Sequence, residues 1–560
     1  MNKYIYVCVF SLALLSWLIP NYYQPWLAAY PNALALSGSL LLFIWLAAKR
    51  TVYAGSALFL LPTVLLLVVV QYFFGVSPFV GEVVVFSVYV LAFALAYLTG
   101  FNLSLNKSSQ QTIAKGLAVF FVVGAVISSW IALLQWQQLN GSIWIRDLAP
   151  GGRPYANFGQ PNNMATALGM GLAGVLYLFE SRVIQRTGAT ALATFIIIAL
   201  ALAQSRTTWL AGIAVVVFWA WQARRSNIKL RLKPIVLLMW YMLFVSFLFL
   251  LPWLNELLLI SGPDLLSHAK TAHRWHMWQQ FALAIWHGPW YGYGVSQVAE
   301  AQVAIAPSFP LVGLMTFYTH SLVLDVLIWF GPFIGGILVI LGGCGLVRLG
   351  FSVKTVESRF ALIAAGFVLT HSLLEYPHAY LFFLLPLGVL LGMAATEYPG
   401  KRLFTLPRKV TIGAVACLML LGSWIIIEYI IIENDYRLMR FEVANIGKVK
   451  AEKAAPDVML LTQLREYTRL ARTEPYAGMS NEELAWMRQV VYQYPYSASL
   501  SRYVKALALN DQTDEALHHL QVLKGLHQPK YYESVIGWLK SEQENHQAIK
   551  KILARLNENN

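Results

Sequence analysis

Thirteen apolar runs, separated by short polar segments, set what this chain can fold into. They fall at about 4–20, 33–48, 54–72, 83–100, 116–136, 163–180, 189–204, 208–222, 234–252, 321–347, 359–375, 380–396 and 410–432. A helix needs about 20 apolar residues to cross the hydrocarbon layer. A backbone in lipid must also satisfy its own hydrogen bonds, so such runs become helices rather than open strands. The chain therefore reads as an all-α polytopic membrane protein with about 12–13 transmembrane helices. Charged residues are only 12% of the 560, against 58% hydrophobic, which excludes a soluble globule. The first run is read as a transmembrane helix and not a signal peptide, because it lacks a small-residue cleavage site.

Charge gives the orientation. Of the formal net charge of +14, +13 lies in residues 1–432 and +1 in residues 433–560. The basic residues Lys49-Arg50, Arg182, Arg186, those between Arg224 and Lys233, Lys401-Arg402 and Arg408-Lys409 fall on one side of the alternating runs. The positive-inside rule makes that side cytoplasmic, with the N-terminus inside and the tail outside. Topology accounts for the excess charge, and no nucleic-acid partner is called for. Three cysteines, Cys8, Cys344 and Cys417, sit in apolar runs and suggest neither disulfide nor metal site.

Two domains are expected: a transmembrane domain over 1–432, with outside loops at 137–162, 253–319 and 371–380, and a soluble helical domain over 433–560. In the tail, prolines 456, 475, 495 and 529 punctuate helical periodicity. The stretch from Tyr494 to Leu517 looks like one or two degenerate tetratricopeptide-type helix pairs, which hold a protein partner or cap the last span.

The chemistry is expected outside. The segment from Gly152 to Asn163 packs two prolines, two glycines, three asparagines, one glutamine and Arg153 between two apolar stretches. Polar groups beside hydrocarbon cost several kcal/mol unless they are used. Guanidinium suits phosphate, and amides suit sugar hydroxyls. No Walker loop, GxGxxG, paired-carboxylate motif or Cys/His cluster occurs. The ionisable outside residues are mainly Arg153, Arg206, Arg274, His268, His273, His276, His287, His320, His371 and His378. Arg206, in a tight turn between two runs, fits a phosphate clamp or an interfacial anchor. Arg274, among Trp and His, fits either the same role or cation–π anchoring. His320, opening a span, could take a proton from a hydroxyl or bind a phosphate. Asp325 lies five residues on, off the His320 face, and still needs a partner. Glu375 near membrane depth could orient an Arg or a His, or serve as a structural hydrogen-bonding hub.

Together these stretches resemble the O-antigen ligase superfamily of GT-C-like inner-membrane transferases, and within it the bacterial protein O-oligosaccharyltransferases that glycosylate pilins and other proteins. The most specific element is Gly152-Arg153-Pro154-Tyr155-Ala156-Asn157-Phe158-Gly159-Gln160-Pro161-Asn162. Ser205-Arg206-Thr207, Arg274 with Gly292-Tyr293-Gly294, His320 with Gly331, and Glu375-Tyr376-Pro377 follow in the family's order. The stretch Ser321–Asp325 looks more like the pilin-specific ligases than the general ones.

The resemblance implies a metal-independent, cofactor-free transfer of a preassembled glycan from undecaprenyl-pyrophosphate to Ser or Thr of a periplasmic, pilin-like protein. It also implies a bacterial inner (cytoplasmic) membrane location, with the active site and tail periplasmic and membrane lipids as surroundings. Under it His320, Arg206 and Arg274 are catalytic. Arg153, Tyr155, Asn157, Gln160, Asn162, Glu375, His371 and Asp325 serve substrate. Rival readings are an O-antigen ligase or polymerase with a lipopolysaccharide or glycan acceptor, and a lipid-linked glycan transporter.

Overall fold

The computed structural model describes every residue except 1–2, 50, 56–57, 59, 226–229, 263–272, 399–402, 448–449, 452 and 559–560, and of His273 and Leu403 the backbone alone. Arg50, Lys229, His268, Lys401 and Arg402 thus lie outside the described residues. Each of the thirteen apolar runs contains a helix. Six described helices are long and apolar enough to cross a membrane, and four shorter apolar helices accompany them. The protein is an all-α polytopic membrane protein.

The chain divides into two compact units, each assembled from separated segments. The first holds residues 1–62, 88–271 and 342–422; the second holds 63–87, 272–341 and 423–560.

In the first unit, α1 (Lys3–Leu18), α2 (Ala29–Lys49), α5 (Lys107–Trp136), α6 (Pro161–Glu180), α7 (Arg186–Leu202), α8 (Arg206–Arg225), α9 (Pro234–Leu257), α13 (Val356–Ser372) and α14 (Leu381–Ala395) surround a core centred on α6. Helix α6 is buried along nearly its whole length. Its glycines permit this. A Cβ on Gly169 would stand 2.3 Å from the Phe367 ring, and one on Gly171 2.3 Å from the Ala125 Cβ. Helices in lipid associate by such close approach, since burying apolar surface gains little there. Two short strands, β1 (Tyr53–Gly55) and β2 (Leu403–Thr405), pair antiparallel with Tyr53 opposite Thr405.

The second unit contains most of α3 (Leu60–Phe73), the start of α4 (Val80–Leu103), α10 (His273–His287), α11 (Val298–Ile305), the first part of α12 (Leu322–Ser352) and the end of α15 (Arg408–Val443). To these it adds six tail helices: α16 (Thr462–Arg472), α17 (Asn481–Gln493), α18 (Ser497–Leu509), α19 (Thr513–Leu526), α20 (Pro529–Glu542) and α21 (Gln547–Glu558). Helices α18 and α19 pack on each other, as do α17 and α18.

Buried polar ties fix the tail to the end of α15. The Glu428 carboxylate accepts from the backbone N–H groups of Met459, Leu460 and Leu461 at 2.8–3.0 Å. Arg472 pairs with Asp435 at 2.8 Å and Glu442 at 2.7 Å.

Candidate functional site

In the first unit the polar segment is a built loop. Gln135 of α5 organises it. Its Oε1 accepts from the backbone N–H of Tyr155 and Ala156 at 3.0 and 2.8 Å, and its Nε2 donates to the Ala156 and Arg146 carbonyls, both at 2.8 Å. Asn157, 1% exposed, donates to the Leu18 and Trp144 carbonyls at 2.6 and 2.9 Å and accepts from the Arg146 N–H at 3.1 Å. The left-handed turn at Gly159 (φ 72°) needs a residue without a Cβ, whereas Ala156 adopts φ 49° under these restraints. Phe158 anchors the loop in the core, stacked on Phe383 with centroids 6.0 Å apart. The Arg146 guanidinium lies 5.1 Å from the Tyr22 ring centre and 5.9 Å from that of Tyr155, whose hydroxyl donates to the Asp147 carbonyl.

Beyond this loop α6 begins, with Gln160 at its cap and Pro161 in its first turn. Its first turns connect to α13 and the residues after it. Asn162 donates to Glu375, 2% exposed, at 3.0 Å, and Thr166 shares a hydrogen bond with His371, 1% exposed, at 2.8 Å. Between them Asn163 is 1% exposed, and neither polar atom of its amide has a partner among the described residues. Glu375, expected to orient an Arg or a His, accepts here from the Asn162 amide. The sequence reading counted Asn163 among the three asparagines of the polar segment but gave it no individual role.

The loop also reaches the turn before α8. Arg153 donates from Nη1 to the Gln204 carbonyl at 3.3 Å. Gln204 adopts φ 47°, and Ser205 and Thr207 share a hydrogen bond at 2.7 Å. Arg206, expected in a tight turn, is the first residue of α8 and is exposed. Arg153, Tyr155, Asn157, Gln160, Asn162, Arg206, His371 and Glu375 all belong to this unit.

Arg274, His320 and Asp325 belong to the second. Asp325, fully buried, accepts from the Thr319 N–H at 2.8 Å; the Thr319 hydroxyl donates to the Ser321 carbonyl at 2.9 Å, and Trp278 of α10 donates to the Thr319 carbonyl at 3.1 Å. These bonds lock the turn whose central residue is His320, at φ 58° and half-buried. Asp325 therefore acts on the residue before His320 and completes the local turn. Arg274 is half-buried near the start of α10.

A break in α12 positions the neighbouring loop. Gly331 is non-helical at φ 77°, and Pro332 carries no N–H to continue the ladder. The carbonyls so freed accept instead from the loop 288–294: Tyr293 N–H to Ile328 at 2.8 Å and Gly294 N–H to Trp329 at 3.2 Å. Gln71 of α3 also donates to the Trp329 carbonyl, at 2.6 Å.

The tail meets this region within the same unit. Leu311 and Gly313 donate to the carbonyls of Gly525 and Leu526, both at 2.8 Å, and Phe317 packs edge-on to Tyr494 and Tyr496. Burial raises the Tyr494 hydroxyl well above its ordinary range. It also raises Glu300 of α11 to about 7, with Arg488 opposing. Among the described residues no group of three or more His, Cys, Asp or Glu is placed to hold a metal ion.

Comparison with known proteins indicates the class to which a helical membrane scaffold of this kind is similar. The family described as O-Antigen ligase matches residues 190–341, Protein glycosylation ligase matches 154–179, and Virulence factor membrane-bound polymerase, C-terminal, matches 360–538. Each of these matches covers less than half of the chain.

It is homologous to two O-oligosaccharyltransferases of Acinetobacter baylyi. It is 29% identical to a general O-oligosaccharyltransferase over 92% of this chain and 91% of that one. It is 27% identical to a ComP-specific O-oligosaccharyltransferase over 73% of this chain and 74% of that one.

Proposed function

We propose that this protein is an O-linked oligosaccharyltransferase. It moves a preassembled glycan en bloc from undecaprenyl-pyrophosphate to a Ser or Thr hydroxyl of a periplasmic, pilin-like protein. One observation carries the reading: the protein glycosylation ligase match covers Tyr155, Asn157, Gln160 and Asn162, and the O-antigen ligase match covers Arg206, Arg274 and His320.

The acceptor oxygen attacks the glycan's anomeric carbon as its bond to the pyrophosphate oxygen breaks. The hydroxyl proton passes to His320, and the carrier leaves as its pyrophosphate. Negative charge grows on that leaving group, so Arg206 and Arg274 serve as its electrostatic stabilisers. Arg153, Tyr155, Gln160 and Asn162 bind glycan or pyrophosphate. Asn157, His371, Glu375 and Asp325 hold the binding groups in place. The protein sits in the bacterial inner membrane with its N-terminus cytoplasmic and its tail, residues 433–560, a periplasmic helical domain that engages the acceptor.

The test is co-expression with a pilin in cells that make a lipid-linked glycan, read by intact-protein mass. Wild type adds one glycan mass, and His320→Ala adds none. A second reading, a ligase or polymerase acting on lipopolysaccharide or glycan, is favoured by the polymerase match over 360–538. It predicts no gain on the pilin and instead a glycan-modified lipopolysaccharide.

A further inference from the structure

The first unit contains a cavity of about 560 Å³ lined by residues of α6, α7, α8, α9 and α13. That volume is within the range of specific small-molecule sites. Its walls are apolar, with Leu176, Ala193 and Phe367 among them, and its lining ends in three cations, Arg186, Arg231 and Lys233.

Two of these cations mark helix starts. Arg186 is the first residue of α7, Lys233 is the cap residue of α9, and neither helix has a side-chain cap. Both helix N-termini therefore add their partial positive charge beside these cations. The third cation is held in position. Glu180 accepts from the backbone N–H of Arg231 and Leu232 at 3.0 and 2.5 Å. Arg231 donates from Nη1 to the Phe179 carbonyl at 2.6 Å, with its guanidinium 4.0 Å from the Phe179 ring centre. Arg186 and Lys233 are exposed.

An apolar slot closed at one end by three cations and two helix N-termini matches one kind of occupant in a bilayer. That is a lipid with an anionic headgroup at the basic end and an acyl chain between the helices. We propose that this cavity is a specific binding site for an anionic glycerophospholipid. The neutral or zwitterionic lipids that share its chains lack the net charge that the basic end recognises.

The experiment is native mass spectrometry of the full chain in neutral detergent, titrated separately with phosphatidylglycerol and phosphatidylethanolamine of identical chains. Wild type binds one phosphatidylglycerol at least about tenfold more tightly than phosphatidylethanolamine. The double variant Arg186→Gln with Lys233→Gln loses that preference while keeping its phosphatidylethanolamine binding, which shows the cavity intact. Ala193→Phe, which fills the slot, weakens both lipids. The proposal is overturned if wild type shows no preference, or if the preference survives the double variant. It is overturned equally if undecaprenyl phosphate displaces phosphatidylglycerol at equal concentration, because the slot would then belong to the glycan carrier. Lipid binding is read without any glycosylation step, so its failure is separate from failure of the proposed transfer.

Discussion

Asn157 and Asp325 do similar work in different places. Each is buried and bonds backbone groups of a loop beside a residue held in an unusual conformation. His320 is the opposite case, a half-buried ring at the centre of a locked turn. The two kinds of residue should therefore fail differently. His320→Ala should leave thermal stability in detergent nearly unchanged and cut transfer by about 10²–10⁴, the usual contribution of a positioned base. Asn157→Ala removes three part-buried hydrogen bonds, to the Leu18 and Trp144 carbonyls and from the Arg146 N–H, each worth about 0.5–1.5 kcal/mol. It should lower the melting temperature sharply, and residual activity should track the folded fraction. Equal stability losses in the two variants would contradict these roles. Arg206→Ala should reduce transfer strongly, and Arg206→Lys should restore only part of it, because an ammonium cannot reproduce the guanidinium's planar fork. Full recovery with Lys would argue for a simple interfacial anchor.

At the scale of elements, helix formation was legible and helix interruption was not. The apolar runs specify helices because a chain in lipid has few other ways to pair its backbone. The polar loop was visible as composition. Its support Gln135 was not, since a lone amide in an apolar run carries no periodic signal. The interruption at Gly331 belongs here too. Its Cβ, if present, would fall 2.0 Å from the Trp290 carbonyl oxygen, and its φ of 77° is one that side chains resist. Gly331→Ala should therefore undock the loop 288–294 from α12. The expected signs are faster proteolytic cleavage in that loop and a loss of roughly 2–3 kcal/mol from strain of this kind. Gly343→Ala is the control: nothing lies within 4 Å of its Cβ position, so it should be neutral or slightly stabilising. Matching cleavage rates for the two variants would sink the account.

For the whole molecule, each compact unit is assembled from segments separated in sequence, and the tail shares its unit with segments from 63–87 and 272–341. Contacts such as Gln297 with Gln493 at 2.6 Å, and Gln493 with Glu82 at 3.3 Å, join residues about 200 to 400 positions apart, which no local pattern announces. That arrangement has a consequence for pH. In the second unit, burial raises Glu300 to about 7 and lowers His519 to about 4. Glu300 is protonated more readily folded than unfolded. Its contribution is full below its ordinary value of 4.5 and is lost as pH rises through about 7. His519 is protonated less readily folded than unfolded. Its contribution is full above 6.5 and is lost as pH falls through about 4. Between about 4.5 and 6.5 the two slopes oppose each other, and each is worth roughly 3 kcal/mol at full extent by the free-energy equivalent of a pKa shift. These two contributions should thus offset each other across that window, followed by hydrogen exchange in α18 and α19 of the full chain. Glu300→Gln should leave the histidine slope alone and destabilise the unit as pH falls from 6.5. His519→Phe, which keeps a ring against Tyr503 at the 4.8 Å centroid spacing, should leave the carboxyl slope and destabilise it as pH rises from 4.5. Two variants with the same sign of slope would show that these buried groups do not set the pH response of this unit.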